Sequence, residues 1–302
     1  MGGKAGQKRI IKTAAAALSL LFVLAQTGAY AADAETSGID TKIISSVKHV
    51  ENYYNAFGIC YSSTEQTTTV TKTTSTNKDG KETSNTSTQI STVTQTWKGG
   101  SLKVDSVVGT VTSEGTDGSN STTNYSINYT YDNLGRLQGA TGTSTTTGKL
   151  ADDAFDGSSG NYTSTTTDTY IIRNGQALKS QSVTTSTTTV EGQEKSTTTE
   201  TTTYDYDLIG GSWHLMSTVS QSETSMTDGG SESTTTTVTY TRDSNGVCTG
   251  ISQNKTGTQT VKDEAGGTHT FTIQNYDADY VFDETQGWHL SHESYDWVEG
   301  GT

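Results

Sequence analysis

Residues 191–229 read EGQEKSTTTETTTYDYDLIGGSWHLMSTVSQSETSMTDG, and the fold is decided in this stretch. An acid–glycine pair opens it and another closes it: Glu191-Gly192 and Asp228-Gly229, both hairpin-turn dipeptides. Between Ser196 and Thr203 the chain is almost wholly hydroxyl. Tyr204, Tyr206 and Leu208 follow at a spacing of two, which on a strand puts them on one face. A turn at Gly210-Gly211 reverses the chain, and Leu215 begins the return. Threonine dominates, and its branched carbon restricts χ1 to rotamers that suit a pleated strand. The stretch reads as a long hairpin with a turn at each end.

The same punctuation recurs along the chain. One glycine series follows the aromatic-rich segments: Gly58, Gly100, Gly135, Gly175, Gly211, Gly246 and Gly287, at spacings of 35–42 residues. A second series falls between them, at Gly80, Gly118, Gly157, Gly192, Gly229 and Gly266, with spacings of 35–39. A period in this range marks a repeat architecture. Six repeats of two strands, plus a last strand near Trp288 to Trp297, predict an all-β antiparallel up-and-down meander of about 13 long strands, curled or barrel-like. Apolar residues gather near the first glycine series: Trp97, Tyr129, Tyr131, Leu137, Tyr206, Leu215, Tyr240 and Leu290 are the expected core, at one pole of the sheet.

The N-terminal region differs. Lys4, Lys8, Arg9 and Lys12 precede an apolar run from Ala14 to Ala25 and a small-x-small site at Ala29-Tyr30-Ala31, so residues 1–31 read as a bacterial secretory signal. The run is too short for a membrane span, which needs about 20 residues. Ile39, Ile43, Val47, Val50, Tyr54 and Phe57 step by threes and fours, predicting an amphipathic helix within residues 32–58, ahead of one hairpin domain over 59–302.

Removing the signal takes the formal charge from −14 to −18, because it deletes four basic residues and no acid. Such a chain repels nucleic acid and anionic lipid. Hydrophobic residues make up 29%, well under the usual 45–50% or so, yet the absence of proline and the abundance of threonine argue against a disordered linker.

Tyr129-Thr130-Tyr131-Asp132-Asn133-Leu134-Gly135-Arg136-Leu137 resembles the signature Y-x-Y-D-x-x-G-R-L of the tyrosine–aspartate (RHS/YD) repeat proteins. Partial matches are Tyr204-Asp205-Tyr206-Asp207 before Gly210 and Tyr240-Thr241-Arg242-Asp243 before Gly246. The resemblance implies a long sheet of hairpins wrapped into a hollow shell, and no activity. The arms here are longer than that family's short repeat.

Chemistry-bearing motifs are few. Cys60 and Cys248 occupy equivalent places in repeats one and six, so an exported chain could bond them, with two buried thiols as the alternative. On an open sheet they would lie ten strands apart, roughly 48 Å at ~4.8 Å per strand, so a bond requires closure. Trp213-His214-Leu215 and Trp288-His289-Leu290 repeat one packing motif. His289, His292 and Glu293 do not make a metal set, since 289 and 292 face opposite sides of a strand. The acids at Asp152, Asp153 and Asp156, and from Asp277 to Glu284, follow no calcium-loop pattern. Catalytic and phosphate-loop motifs are missing. The expectation is a non-enzymatic exported protein without cofactor, structural or adhesive, offering Thr-rich hairpins to a surface glycan, matrix or protein partner. The alternative is a carrier holding a small apolar ligand in a curled sheet closed by the helix. A membrane pore would need apolar residues alternating outward, which the Thr arms lack. Ice binding would need a regular lattice on one face, which repeats of unequal length do not guarantee.

Overall fold

The computed structural model describes residues 36–77, 82–150, 160–190, 193–262, 267–283 and 287–300. Among these described residues fourteen strands form one antiparallel sheet in chain order: β1 Thr36–Tyr54, β2 Cys60–Asn77, β3 Glu82–Lys98, β4 Ser101–Gly115, β5 Asn120–Tyr131, β6 Leu137–Lys149 and β7 Gly160–Arg173 make the first half. β8 Gln176–Val190, β9 Gln193–Ile209, β10 Ser212–Met226, β11 Ser231–Arg242, β12 Cys248–Lys262, β13 Thr268–Asp283 and β14 Gly287–Gly300 complete it. The meander expected from the glycine spacing is present; among the described residues β1 and β14 are its two edges, and the sheet is not closed. By contacts the chain divides into residues 1–39 with 75–82, and residues 40–74 with 83–302. Of the smaller unit only the strand ends 36–39, 75–77 and 82 are described.

The helix expected over Ile39 to Phe57 is instead β1, which is why the strand count exceeds 13. Ile43, Ile44, Val47 and Val50 are β-branched and stiff at χ1, a handicap in a helix and an advantage on a strand. The steps of three and four from Ile39 through Ile43, Val47 and Val50 to Tyr54 also fit a strand whose two faces are both apolar.

Turn chemistry explains the reversals. In the β5–β6 turn, Asp132 Oδ1 accepts the backbone N–H of Leu134 at 2.9 Å and of Arg136 at 2.8 Å, while the Gly135 N–H reaches the Asp132 carbonyl at 2.9 Å. Gly135 sits at φ 74°, where a side chain would be strained. Asn55 and Asp243 repeat this arrangement: Asn55 Oδ1 accepts from Phe57 and Ile59, and Asp243 Oδ1 from Asn245 and Val247. The backbone donors, first of all that of Arg136 for Asp132 and that of Val247 for Asp243, hold both carboxyls below the usual aspartate range. The intervening turns are two-residue reversals at Gly99-Gly100, Asn174-Gly175 and Gly210-Gly211, with both φ values positive in each, as a type I′ hairpin demands.

Every hairpin closed by one of these turns from β3 onward carries a bulge shortly after the turn, and so does β13–β14. The unpaired residues are Asp105, Gln138, Ser180, Met216, Thr249 and Ser291. A bulge inserts one residue and so exchanges the faces of everything beyond it. Three of the inserted hydroxyls donate to a carbonyl opposite: Ser180 to Thr169 at 3.1 Å, Thr249 to Thr241 at 3.3 Å and Ser291 to Asp279 at 3.0 Å.

The expected core at the turn pole needs correction. The buried apolar side chains are Val93, Val111, Ile127, Ala140, Ile273 and Ala278, distributed along one face of the sheet. Trp97 is 47% exposed, and Phe57 and Leu134 at the tips more so. Tips extend past the strand ladder and no second layer of the described residues covers them. Tyr129, Tyr131, Leu137, Tyr206, Leu215 and Tyr240 are half-buried. The side chain of Leu290 lies outside the described residues.

Candidate functional site

The two faces of the sheet differ, and the difference starts at single residues. Along β6, Ala140, Gly142, Ser144 and Thr146 are buried while Thr141, Thr143, Thr145 and Thr147 are exposed. Following direct cross-strand partners from Thr147 outward gives a row of hydroxyls: Thr88, Thr112, Thr122, Thr147, Thr163, Thr187, Thr197, Ser225, Ser231, Thr260 and Thr270, one from each strand from β3 to β13. The next row begins with Ile90 on β3 and continues through Thr110, Asn124, Thr145, Thr165, Thr185, Thr199, Glu223, Ser233, Thr258 and Thr272, with Glu223 its one charge. None of these side chains is buried. Strand geometry sets the mesh at about 4.8 Å between strands and about 6.7 Å along them. A threonine node carries a hydroxyl, which can donate and accept, and a methyl group. Within the rows Thr110 Oγ1 donates to Asn124 Oδ1 at 2.8 Å, and Thr260 and Thr270 Oγ1 lie 3.4 Å apart.

Hydroxyls on the opposite face bond one another. Thr123 Oγ1, fully buried, lies 2.8 Å from Thr146 Oγ1; Thr166 and Thr184 meet at 2.9 Å, Thr202 and Ser220 at 2.7 Å. Toward the turns this face becomes aromatic. Tyr170 and Tyr204 lie close to Asp168, whose side chain is 4% exposed, and Tyr129 and Tyr206 lie close to Tyr170. Lys179 Nζ lies 2.8 Å from Asp168 Oδ2, and Ser182 Oγ donates to Oδ1 at 2.7 Å. The bulge at Ser180 makes this possible, because it turns Lys179 to the face of its partner Tyr170. Gly142 is needed directly opposite: a Cβ there would come within 3.1 Å of the Asp168 Cβ. Burial raises the phenol pKa of Tyr170, Tyr204 and Tyr206, that of Tyr206 to about 12, and the Asp168 charge adds to the first two. A buried, paired and hydrogen-bonded carboxylate of this kind is a structural clamp: its oxygens are engaged by protein groups.

Other sequence candidates separate. Cys60 and Cys248 are free thiols, donating to the carbonyls of Ser62 at 3.2 Å and Gly250 at 3.4 Å. The disulfide does not form because the open meander leaves ten strand steps between β2 and β12. No three His, Cys, Asp or Glu side chains among the described residues gather closely enough to hold a metal. Asp152, Asp153, Asp156 and Glu284 lie outside the described residues, as does residues 1–31, while Asp277 accepts from Asn254 Nδ2 at 2.7 Å. A shallow groove of about 650 Å³ runs beside Lys103, Tyr131, Arg136, Leu137 and Gln138, with a mixed polar and apolar lining. No helix among the described residues is long and apolar enough to cross a membrane. The sequence reading missed the two-dimensional order of the hydroxyls, which depends on register, and missed Asp168, a lone acid within an uncharged Thr run.

No family model and no curated protein matches the chain. Among solved structures, a porin-like protein from Bacteroides uniformis is similar over 88% of this chain and 96% of that one, at 14% identity and a TM-score of 0.20.

Proposed function

We propose that this chain is an exported, non-enzymatic structural or adhesive protein whose hydroxyl face docks on a repetitive, hydroxyl-bearing surface, with extracellular polysaccharide as the matching class. One observation carries the reading: the row of hydroxyl side chains that crosses β3 to β13 without a charge. A strand spacing of about 4.8 Å recurs on the scale of a sugar ring, and uncharged donors and acceptors suit a neutral polymer. Purified residues 32–302 are incubated with insoluble polysaccharides and with bacterial cells. Retention is expected on at least one, and a Thr145→Glu, Thr165→Glu, Thr185→Glu variant is expected to lose it by about tenfold or more, equivalent to about 1.4 kcal/mol. No retention anywhere overturns the proposal.

The same lattice favours a second reading, ice binding, because a regular one-face array is the condition the sequence left open. A gap between the melting and freezing points of protein solutions, abolished by the same variant, would select it. Retention on polysaccharide without such a gap removes it.

A further inference from the structure

Among the described residues, no strand lies on the outer side of β1. Residues 41–54 of this strand are exposed throughout, including Ile43 at 59%, Ile44 at 55% and Val47 at 66%. A long apolar edge strand presents a row of backbone donors and acceptors ready to pair with another strand, and folded proteins ordinarily blunt such edges with bulges, charges or covers. β1 carries Lys42, Lys48 and Glu51 among its apolar residues, Lys48 Nζ lies 2.7 Å from Glu65 Oε2 of β2, and nothing described pairs with its outer side. At the other end of the sheet, β14 is equally unpaired on its outer side and carries Glu293, Asp296 and Glu299.

We infer that β1 of one molecule pairs with β14 of a second copy, so that the sheet continues head to tail from chain to chain. Three observations fit. Fourteen is an even number of strands, so β14 runs opposite to β1, and a second copy in the same orientation meets it antiparallel, like every other pair in the sheet. The lengths match: the 14 residues of β14 span residues 41–54 of β1. In that full-overlap register Lys48 stands opposite Glu293 and Lys42 opposite Glu299, with Ile43 opposite Val298 and Ile44 opposite Trp297. Opposite charges and apolar neighbours directly across a ladder are the pairings that stabilise a sheet. The contact joins two different surfaces, so it is heterologous and propagates unless a ring closes.

The register also fixes the test. In residues 32–302 with Cys60→Ser and Cys248→Ser, Val47→Cys and Ser294→Cys are introduced together, and the protein is oxidised and run without reducing agent. A ladder of dimers, trimers and higher species is expected, and mixing the two single-cysteine proteins should give dimers that neither gives alone. A bond within one chain would show instead that β1 and β14 close their own sheet. Dimers from Val47→Cys alone would show β1 pairing with itself. Two unreacted thiols would show that the edges do not meet. Each of these three results overturns the inference. Adding Lys42→Glu and Lys48→Glu is expected to reduce the ladder about tenfold, and Glu293→Lys with Glu299→Lys to restore it.

Discussion

At the scale of the residue, identity matters less than the atom delivered. Asn55, Asp132 and Asp243 differ in charge, yet each places one side-chain oxygen under two backbone N–H groups of its turn. Asp168 is the opposite case, where charge is the point. It is almost fully buried and is held by Lys179 and Ser182. Removing one partner of a buried pair leaves the other charge unmatched, which destabilises by about 3–5 kcal/mol. Lys179→Met should therefore lower the urea midpoint markedly, and Asp168→Leu added to it should recover much of the loss, because two apolar groups tolerate burial together. Equal midpoints for Lys179→Met and the parent would show that the pair contributes nothing.

At the scale of the element, the tyrosine-bearing halves of β5, β7 and β9 give the sheet an alkaline limit. The fold favours the neutral phenol of Tyr206, raising its pKa from 10.0 to about 12, and favours those of Tyr170 and Tyr204 also. The folded state therefore holds these protons where the unfolded chain releases them. Stability is complete below pH 10, the unfolded value, and declines as pH rises toward 12. Tyrosinate absorbance and loss of the β-sheet circular dichroism signal should rise together in that window. Tyrosines ionising at their ordinary pH within an intact sheet would contradict the burial described. This element scale is also where the sequence was most legible. Turns and strands are local, so Gly58, Gly100, Gly135, Gly175, Gly211 and Gly246 marked the reversals without knowledge of the rest. Bulges were illegible, since Gln138, Ser180 and Met216 share no chemistry and a one-residue slip leaves no mark in composition. β1 was misread because apolar residues on both faces of a strand imitate the helical period. The hydroxyl rows needed register across many strands, and register is partly set by those same bulges.

At the scale of the whole molecule, openness decides the fate of the cysteines. Cys60 begins β2 and Cys248 begins β12, and the order of strands keeps them apart. Unreduced protein, unfolded in the presence of a thiol reagent, should give two reactive thiols per chain. A Cys60–Cys248 peptide in an unreduced digest would show that the sheet brings its distant strands together after all.

The strands lie in the order in which they are written in the chain. Each new strand therefore needs only its immediate predecessor as a template, and no early strand waits for a late one. A nascent polypeptide can build this protein vectorially, as a knitter adds one course to the last, and an allele lacking two successive courses would leave the remainder with matching selvedges.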